Sequence, residues 1–135
     1  MLLLDTNILV AAADRSTPEH NGCVAVLESD TDLIVSTPVV VETAWMIESR
    51  LGPEVEAAFV NSVAAGELRV VDLSETDWAR CRDLIAQHAD LRLGLVDASV
   101  VVLAERFDLE TIATLNRRDF AVVRPAHRDS FNLIP

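Results

Sequence analysis

Three acids in this chain stand where a carboxylate is costly unless something shares its charge. Asp5 closes the apolar run Leu2-Leu3-Leu4, and Glu42 sits between Val39-Val40-Val41 and Ala44-Trp45. Asp97 interrupts the apolar text that runs from Leu93 to Leu103. Burying an unpaired carboxylate costs several kcal/mol or forces it to take up a proton. The chain has no lysine, and only Arg15 and Arg50 lie in its first half. A divalent cation is therefore the simplest shared counter-charge. Oxygen-only ligands suit Mg²⁺ or Mn²⁺ rather than zinc, and His20, His88 and His127 are too far apart for a histidine-rich site. An ion held by carboxylates that keeps several waters points to phosphoryl chemistry. A metal-free carboxylate pair would instead suit glycoside hydrolysis. That reading lacks aromatic platforms for a sugar, because the chain has no Tyr, two Trp and four Phe. Each acid also has a plainer role open to it, Asp5 and Asp97 as helix caps above all.

Short apolar runs and amphipathic stretches alternate in a way that can bring these acids together. Strands are predicted at Leu2–Leu4, Leu33–Val35, Leu68–Val71 and Thr111–Thr114, with a fifth at Ala121–Val123 and a last edge segment at Phe131–Ile134. Helices are predicted from Asn7 to Ala13, Pro18 to Glu28, Pro38 to Leu51, Pro53 to Ala65, Ser74 to Ala89 and Leu95 to Phe107. Thr37 is the expected N-cap of the third helix, with Pro38 at its first position. Ser74 and Asp77 have the spacing of a capping box. Strands alternating with helices predict an α/β fold, three-layer α/β/α around a mostly parallel sheet, in a single domain over residues 1–135. Ligands bind such sheets outside the carboxyl ends of the strands. Asp5, Glu42 and the polar group Thr114, Asn116, Arg117, Arg118 and Asp119 all follow strands. Asp97 lies in the first turn of its helix, near the positive end of the helix dipole.

Composition removes several function classes. Twenty-two acids against eleven bases give a formal charge of −11, which argues against binding through a general basic surface. The missing lysine excludes P-loop nucleotide binding, Schiff-base chemistry and lysine-dependent phosphoacceptor domains. No apolar run approaches the ~18 residues of a membrane span, and Asp5 interrupts the opening run too early for a signal peptide. Cys23 and Cys81 show no CxxC spacing and read as unpaired thiols of a reducing cytoplasm.

Four stretches carry a family likeness: Leu3-Leu4-Asp5-Thr6-Asn7-Ile8-Leu9, Thr37-Pro38-Val39-Val40-Val41-Glu42, Leu93-Gly94-Leu95-Val96-Asp97-Ala98-Ser99, and Ile112 through Phe120. Together they resemble the PIN-domain ribonucleases, and among these the VapC toxins of bacterial toxin–antitoxin pairs. The resemblance covers the whole chain. It implies a PIN-like α/β/α fold and Mg²⁺- or Mn²⁺-dependent endoribonuclease activity on a structured RNA, tRNA or rRNA. It further implies a homodimer, neutralisation by a cognate VapB-like antitoxin, and a heterotetramer or larger assembly with it. Carried over by position, Asp5, Glu42 and Asp97 are the family's acidic triad, with Asp5 and Asp97 holding the metal. Asn116 stands where the family has a fourth acid, a departure that removes one negative charge, and Asp119 is the second choice for that role. The implied reaction is in-line attack of an activated water on a phosphodiester, leaving a 5′-phosphate and a 3′-hydroxyl. Glu42 would bind the ion or orient the water, with Asn116 and Thr6 or Thr114 assisting.

Charge distribution accommodates an RNA substrate. Residues 1–68 hold two arginines and eleven acids, whereas residues 69–135 hold nine arginines and eleven acids. Arg117, Arg118, Arg124 and Arg128 are expected beside the site, and Arg80 and Arg82 share one helix. Trp45 and Met46, next to Glu42, are candidate anchors for the antitoxin or for a second copy, or else core residues. The alternatives are a DNA nuclease of the same chemistry and a catalytically inactive PIN-like binding module in which Asn116 marks lost activity.

Overall fold

A computed structural model describes residues 1–135. The chain runs β1 (Leu2–Leu4), α1 (Thr6–Ala13), α2 (His20–Glu28), β2 (Leu33–Ser36), α3 (Thr37–Leu51), α4 (Pro53–Ala64) and β3 (Leu68–Val71). It continues with α5 (Glu75–Gln87), a 3-10 turn (Ala89–Leu91), α6 (Leu95–Arg106), β4 (Thr111–Ala113), α7 (Arg117–Val122) and β5 (Asn132–Ile134). The five strands form one all-parallel sheet in the order β3-β2-β1-β4-β5. Seven α-helices flank it, as the alternating sequence predicts. No helix is long and apolar enough to cross a membrane.

The strand order places β1 at the centre, where a strand needs apolar side chains on both faces. Leu2, Leu3 and Leu4 supply them, and all three are buried. Leu3 pairs with Ile34 on one side and Ile112 on the other. The chain builds β2 and β3 outwards from β1 in one direction, then β4 and β5 in the other. The junction of β1 and β4 is thus the topological switch point, where a crevice opens at the strand ends.

Helix α6 carries the longest unbroken buried run, with every residue from Ala98 to Ala104 buried. A helix apolar all round belongs inside the protein, and α6 packs against α5, α3, β1 and β2. Helix α5 runs antiparallel to it, tied by Arg80–Glu105 and Arg106–Asp77 ion pairs. Asp77 also completes the expected capping box with Ser74. Cys23 and Cys81 are free and buried, as their spacing suggests.

Three local expectations need correction. The stretch Ala121–Val123 is not a strand: Ala121 and Val122 end α7, and the fifth strand is Asn132–Ile134. Phe120 and Val123 are buried while Ala121 and Val122 are exposed, a helical spacing that three apolar letters cannot reveal. Helix α2 starts at His20, after a turn that contains Pro18. The N-cap of α3 is Ser36, whose hydroxyl accepts from the Val39 N–H at 3.2 Å. Thr37 instead donates its hydroxyl to Asp72.

Candidate active site

Asp5 ends β1 and caps α1, so the backbone alone places its carboxylate at the switch point. Its Oδ1 accepts the Thr6 N–H at 2.8 Å, and its Oδ2 accepts the Thr114 hydroxyl at 2.7 Å and the Asn7 amide at 3.2 Å. Asn7 also accepts the Leu115 N–H at 2.9 Å. The segment after β4 is thereby stitched to the start of α1. Asp5 is only 2% exposed. Burial pushes its carboxyl above the usual range, partly offset by the hydrogen bonds from Thr114 and Thr6, and the Glu42 charge pushes the same way as burial.

Asp97 and Glu42 come from two helices whose first turns are hydrogen-bonded together. The Val39 N–H donates to Ser36 Oγ, Ser36 Oγ meets Ser99 Oγ at 2.7 Å, and Ser99 Oγ donates to the Val96 carbonyl at 2.6 Å. Both serines are fully buried. Donors and acceptors in such a chain strengthen one another, so the chain fixes the start of α3, and with it Glu42, against the turn that carries Asp97. The sequence offered a faint signal for this: two hydroxyls in otherwise apolar text.

Asp97 is pushed up to about 7, first by burial and then by the charges of Asp5, Asp119 and Glu42. These four acids therefore share one electrostatic neighbourhood. None of Asp5, Glu42 and Asp97 is ion-paired; of the four only Asp119 is, to Arg118 at 3.1 Å. The donor set suits a divalent cation: it is anionic, made only of oxygen, and lacks an internal counter-charge. The Thr6 hydroxyl, beside Asp5, is buried with no hydrogen-bond partner, which leaves a polar oxygen available to a water or an ion. No three His, Cys, Asp or Glu side chains form a ready-made cage. Mg²⁺, which dehydrates reluctantly and is usually held by one or two carboxylates with water, needs no such cage.

Comparison with known proteins places the fold in a family. Residues 2–124 match the PIN domain family. Ribonuclease VapC26 of Mycobacterium tuberculosis is 31% identical over 135 residues, covering 99% of this chain and 100% of the relative. The chain belongs to the PIN-domain family, in its VapC group. Among solved structures, M. tuberculosis VapC20, described as a sarcin–ricin loop cleaving toxin, superposes with a TM-score of 0.77. It is 16% identical, over 83% of this chain and 87% of its own. A toxin–antitoxin complex from Klebsiella pneumoniae matches with a TM-score of 0.66 and 19% identity, over 100% of this chain and 97% of that one. These structures support the fold.

Two features of this PIN domain depart from what its sequence suggests. Glu42 is half-exposed rather than enclosed by apolar residues, because its neighbours Val41 and Trp45 face outwards, 65% and 68% exposed. They line an apolar groove of about 690 Å³ with Pro38, Leu73, Trp78 and Leu95, and Glu42 is on its wall. Trp45 is therefore not a core residue, whereas Met46 is half-buried against the core. The second departure concerns the arginines. Helix α7 leads away from the site, so Arg124, which follows it, lies at its far end and donates to the Ala121 carbonyl. Arg128 pairs with Asp108, which precedes the amino end of β4. Only Arg117 and Arg118, in the first turn of α7, stay near Asn116. Arg117 turns to the carbonyls of Leu133 and Pro135, and Arg118 extends into solvent with its side chain 81% exposed.

Proposed function

We propose that this PIN domain is a divalent-metal-dependent endoribonuclease, the toxin of a toxin–antitoxin pair. The observation that carries this reading is the gathering of Asp5, Glu42 and Asp97 from three elements, with no arginine to neutralise them and Asp97 pushed up to about 7. The relatives give the chemistry a substrate: one is named a ribonuclease, and another a toxin that cleaves the sarcin–ricin loop. When bound, Mg²⁺ or Mn²⁺ would polarise a phosphate oxygen and lower the pKa of a water.

The residues divide the remaining work. Asp5 and Asp97 would hold the cation, Asp5 in an orientation set by Thr6, Thr114 and Asn7. Glu42 makes no hydrogen bond to another side chain and is half-exposed. It is free to orient the attacking water and take its proton. Water attacks phosphorus in line and the 3′-oxygen leaves, yielding a 3′-hydroxyl and a 5′-phosphate. Asn116 donates to Asp97 Oδ2 at 3.5 Å and restrains that carboxylate. Arg118 is the exposed cation nearest the site and can meet the RNA backbone.

The apolar groove beside Glu42 and the excess of acid on the surface suit a protein partner with apolar and basic residues. An antitoxin of the VapB kind is the expected partner, since one structural relative is a toxin–antitoxin complex, and the groove also supports a homodimer. Total bacterial RNA incubated with antitoxin-free protein, with Mg²⁺, Mn²⁺ or chelator, tests the activity. Discrete metal-dependent products, absent with Asp5→Asn and Asp97→Asn, are expected. No cleavage by the folded protein with either metal would overturn the proposal and favour a binding module.

A further inference from the structure

A second, smaller cavity opens beside the acid cluster, and the function proposed above leaves it without a role. Its volume is about 260 Å³, and it lies between α1, the turn that follows α1, the end of α3 and the segment after β4. Asn7 belongs to both places. It lines this cavity, while its amide donates to Asp5 Oδ2 at 3.2 Å and its Oδ1 accepts the Leu115 N–H. On α3, Glu42, Met46 and Arg50 follow one another at intervals of four residues and so lie along one face. About 12 Å of helix separates Glu42 from Arg50. The cavity therefore continues the acid cluster along α3, within reach of a nucleotide next to the cleaved bond.

Its walls combine an apolar side, with Val10, Met46 and Leu115, and a charged rim that carries Arg50 and Asp14. Six other arginines are ion-paired, and Arg117 and Arg124 donate to backbone carbonyls; exposed Arg50 does neither. Asp14 uses only its Oδ1, which accepts the Ser16 N–H at 3.0 Å and the Ser16 hydroxyl at 2.6 Å. Its Oδ2 is left as a free acceptor. The Ser16 hydrogen bonds hold this carboxyl below the usual range, and the Arg50 charge acts the same way, so the two charges are neighbours. Glu19, also on the rim, accepts the Thr17 hydroxyl. Two carboxylates against one guanidinium disfavour a phosphate here, and the unpaired Arg50 disfavours a cation. A neutral ring with both donors and acceptors on its edge suits the cavity.

We propose that this cavity takes a guanine base of the RNA, from a nucleotide flanking the cleaved bond, with Arg50 reading its edge. This rests on the nuclease reading above. Guanine presents two adjacent acceptors, O6 and N7, that match the guanidinium fork. The N1–H beside O6 is a donor for Asp14 Oδ2. Adenine carries an amino group in place of O6 and would turn a donor towards Arg50. Met46, unbranched and polarizable, suits contact with the ring. Arg50 is thus a specificity-determining residue with no share in the proton transfers.

Cleavage of total bacterial RNA with Mn²⁺ by the parent, Arg50→Gln and Arg50→Lys, with the product ends sequenced, tests the inference. The parent is expected to leave a guanine at one fixed position beside the cut, and both variants to lose that preference by about tenfold. Arg50→Lys keeps the charge at the end of α3 but not the fork, and it guards against a Gln variant that does not fold. In an RNA fragment carrying the mapped cut, 7-deazaguanine at that position lacks only the N7 acceptor. It is expected to raise the KM of the parent by about tenfold with kcat unchanged, as loss of uniform binding does, and to leave Arg50→Gln unaffected. A parent that cuts with no fixed guanine overturns the inference and leaves the nuclease standing. So does a variant that keeps the parent's cut pattern, because Arg50 would then serve only the carboxyl end of α3, where a cation is also favourable. A parent that cleaves nothing with Mn²⁺ or Mg²⁺ refutes the nuclease reading and this inference with it.

Discussion

Replacing Asp97 by asparagine removes a charge that the metal-free protein holds at a cost. In the unfolded chain this carboxyl ionises near 3.8, and in the folded protein near 7. Below the lower value both states are protonated and Asp97 contributes no difference. Between the two values the native state binds a proton that the unfolded state has released, so stability falls as pH rises. Above about 7 both states are ionised and the penalty is complete. The full displacement corresponds to about 4 kcal/mol. The carboxyl retains some contact with water, which screens the charges around it and reduces the effect to roughly half, ~2 kcal/mol. Asp97→Asn is therefore expected to stabilise the chelated protein at pH 8 by about that amount, a rise in Tm of roughly 6–10 °C for a chain of this size. The gain should shrink through pH 6 and vanish near pH 4. In saturating Mn²⁺ the sign should invert, because the parent gains the binding energy and the variant does not. Thermal melts at three pH values, with chelator and with Mn²⁺, make the measurement. An equal shift at pH 4 and pH 8, or a lower Tm for the variant at pH 8 in chelator, would refute the reasoning.

Two further outcomes follow from the geometry around the site. Ser99→Ala breaks the hydroxyl chain between α3 and α6 and leaves buried Ser36 with no acceptor, so chemical denaturation should show a loss of about 1–3 kcal/mol, and RNA cleavage should fall with it as Glu42 and Asp97 lose their common reference. Trp45→Glu should change stability by no more than about 0.5 kcal/mol, as expected of a surface position, yet lower the molar mass seen by light scattering; an unchanged mass with a large loss of stability would instead place Trp45 in the core.

The fold was readable where a residue's neighbours in sequence are also its neighbours in the structure. Leu2–Leu4 had to be a buried strand, Gly52-Pro53 had to separate two helices, and Ser74 with Asp77 had to start one. Asp5, Glu42 and Asp97 were singled out on a related signal: each interrupts the apolar pattern around it, and the interruption is local. What escaped depends on contacts distant in sequence. Asn7 reads as a cap, and only the folded chain shows it holding Leu115. Ser36 and Ser99 are separated by 63 positions. The outward turn of Trp45 depends on where α5 and α6 leave α3 uncovered. Arg124 and Arg128 stand near Asn116 in sequence, but α7 carries the chain away before either is reached. The short stretch Ala121–Val123 fits both helical and extended periods, and its outcome was decided by the Asn116 cap upstream.

The stitching of Asp5 to Thr114 also sets the order in which this molecule can acquire its chemistry as it is synthesised. Thr114, which orients Asp5, and Asp119, whose charge acts on Asp97, both come more than one hundred positions after Asp5. At about 5–20 residues per second, several seconds separate the appearance of the two halves. A nascent chain that has folded β1 to β3 still has no partner for the open edge of β1 and no complete acid cluster. The acid cluster is therefore complete only after β4 and the start of α7 have been made and have docked beside β1.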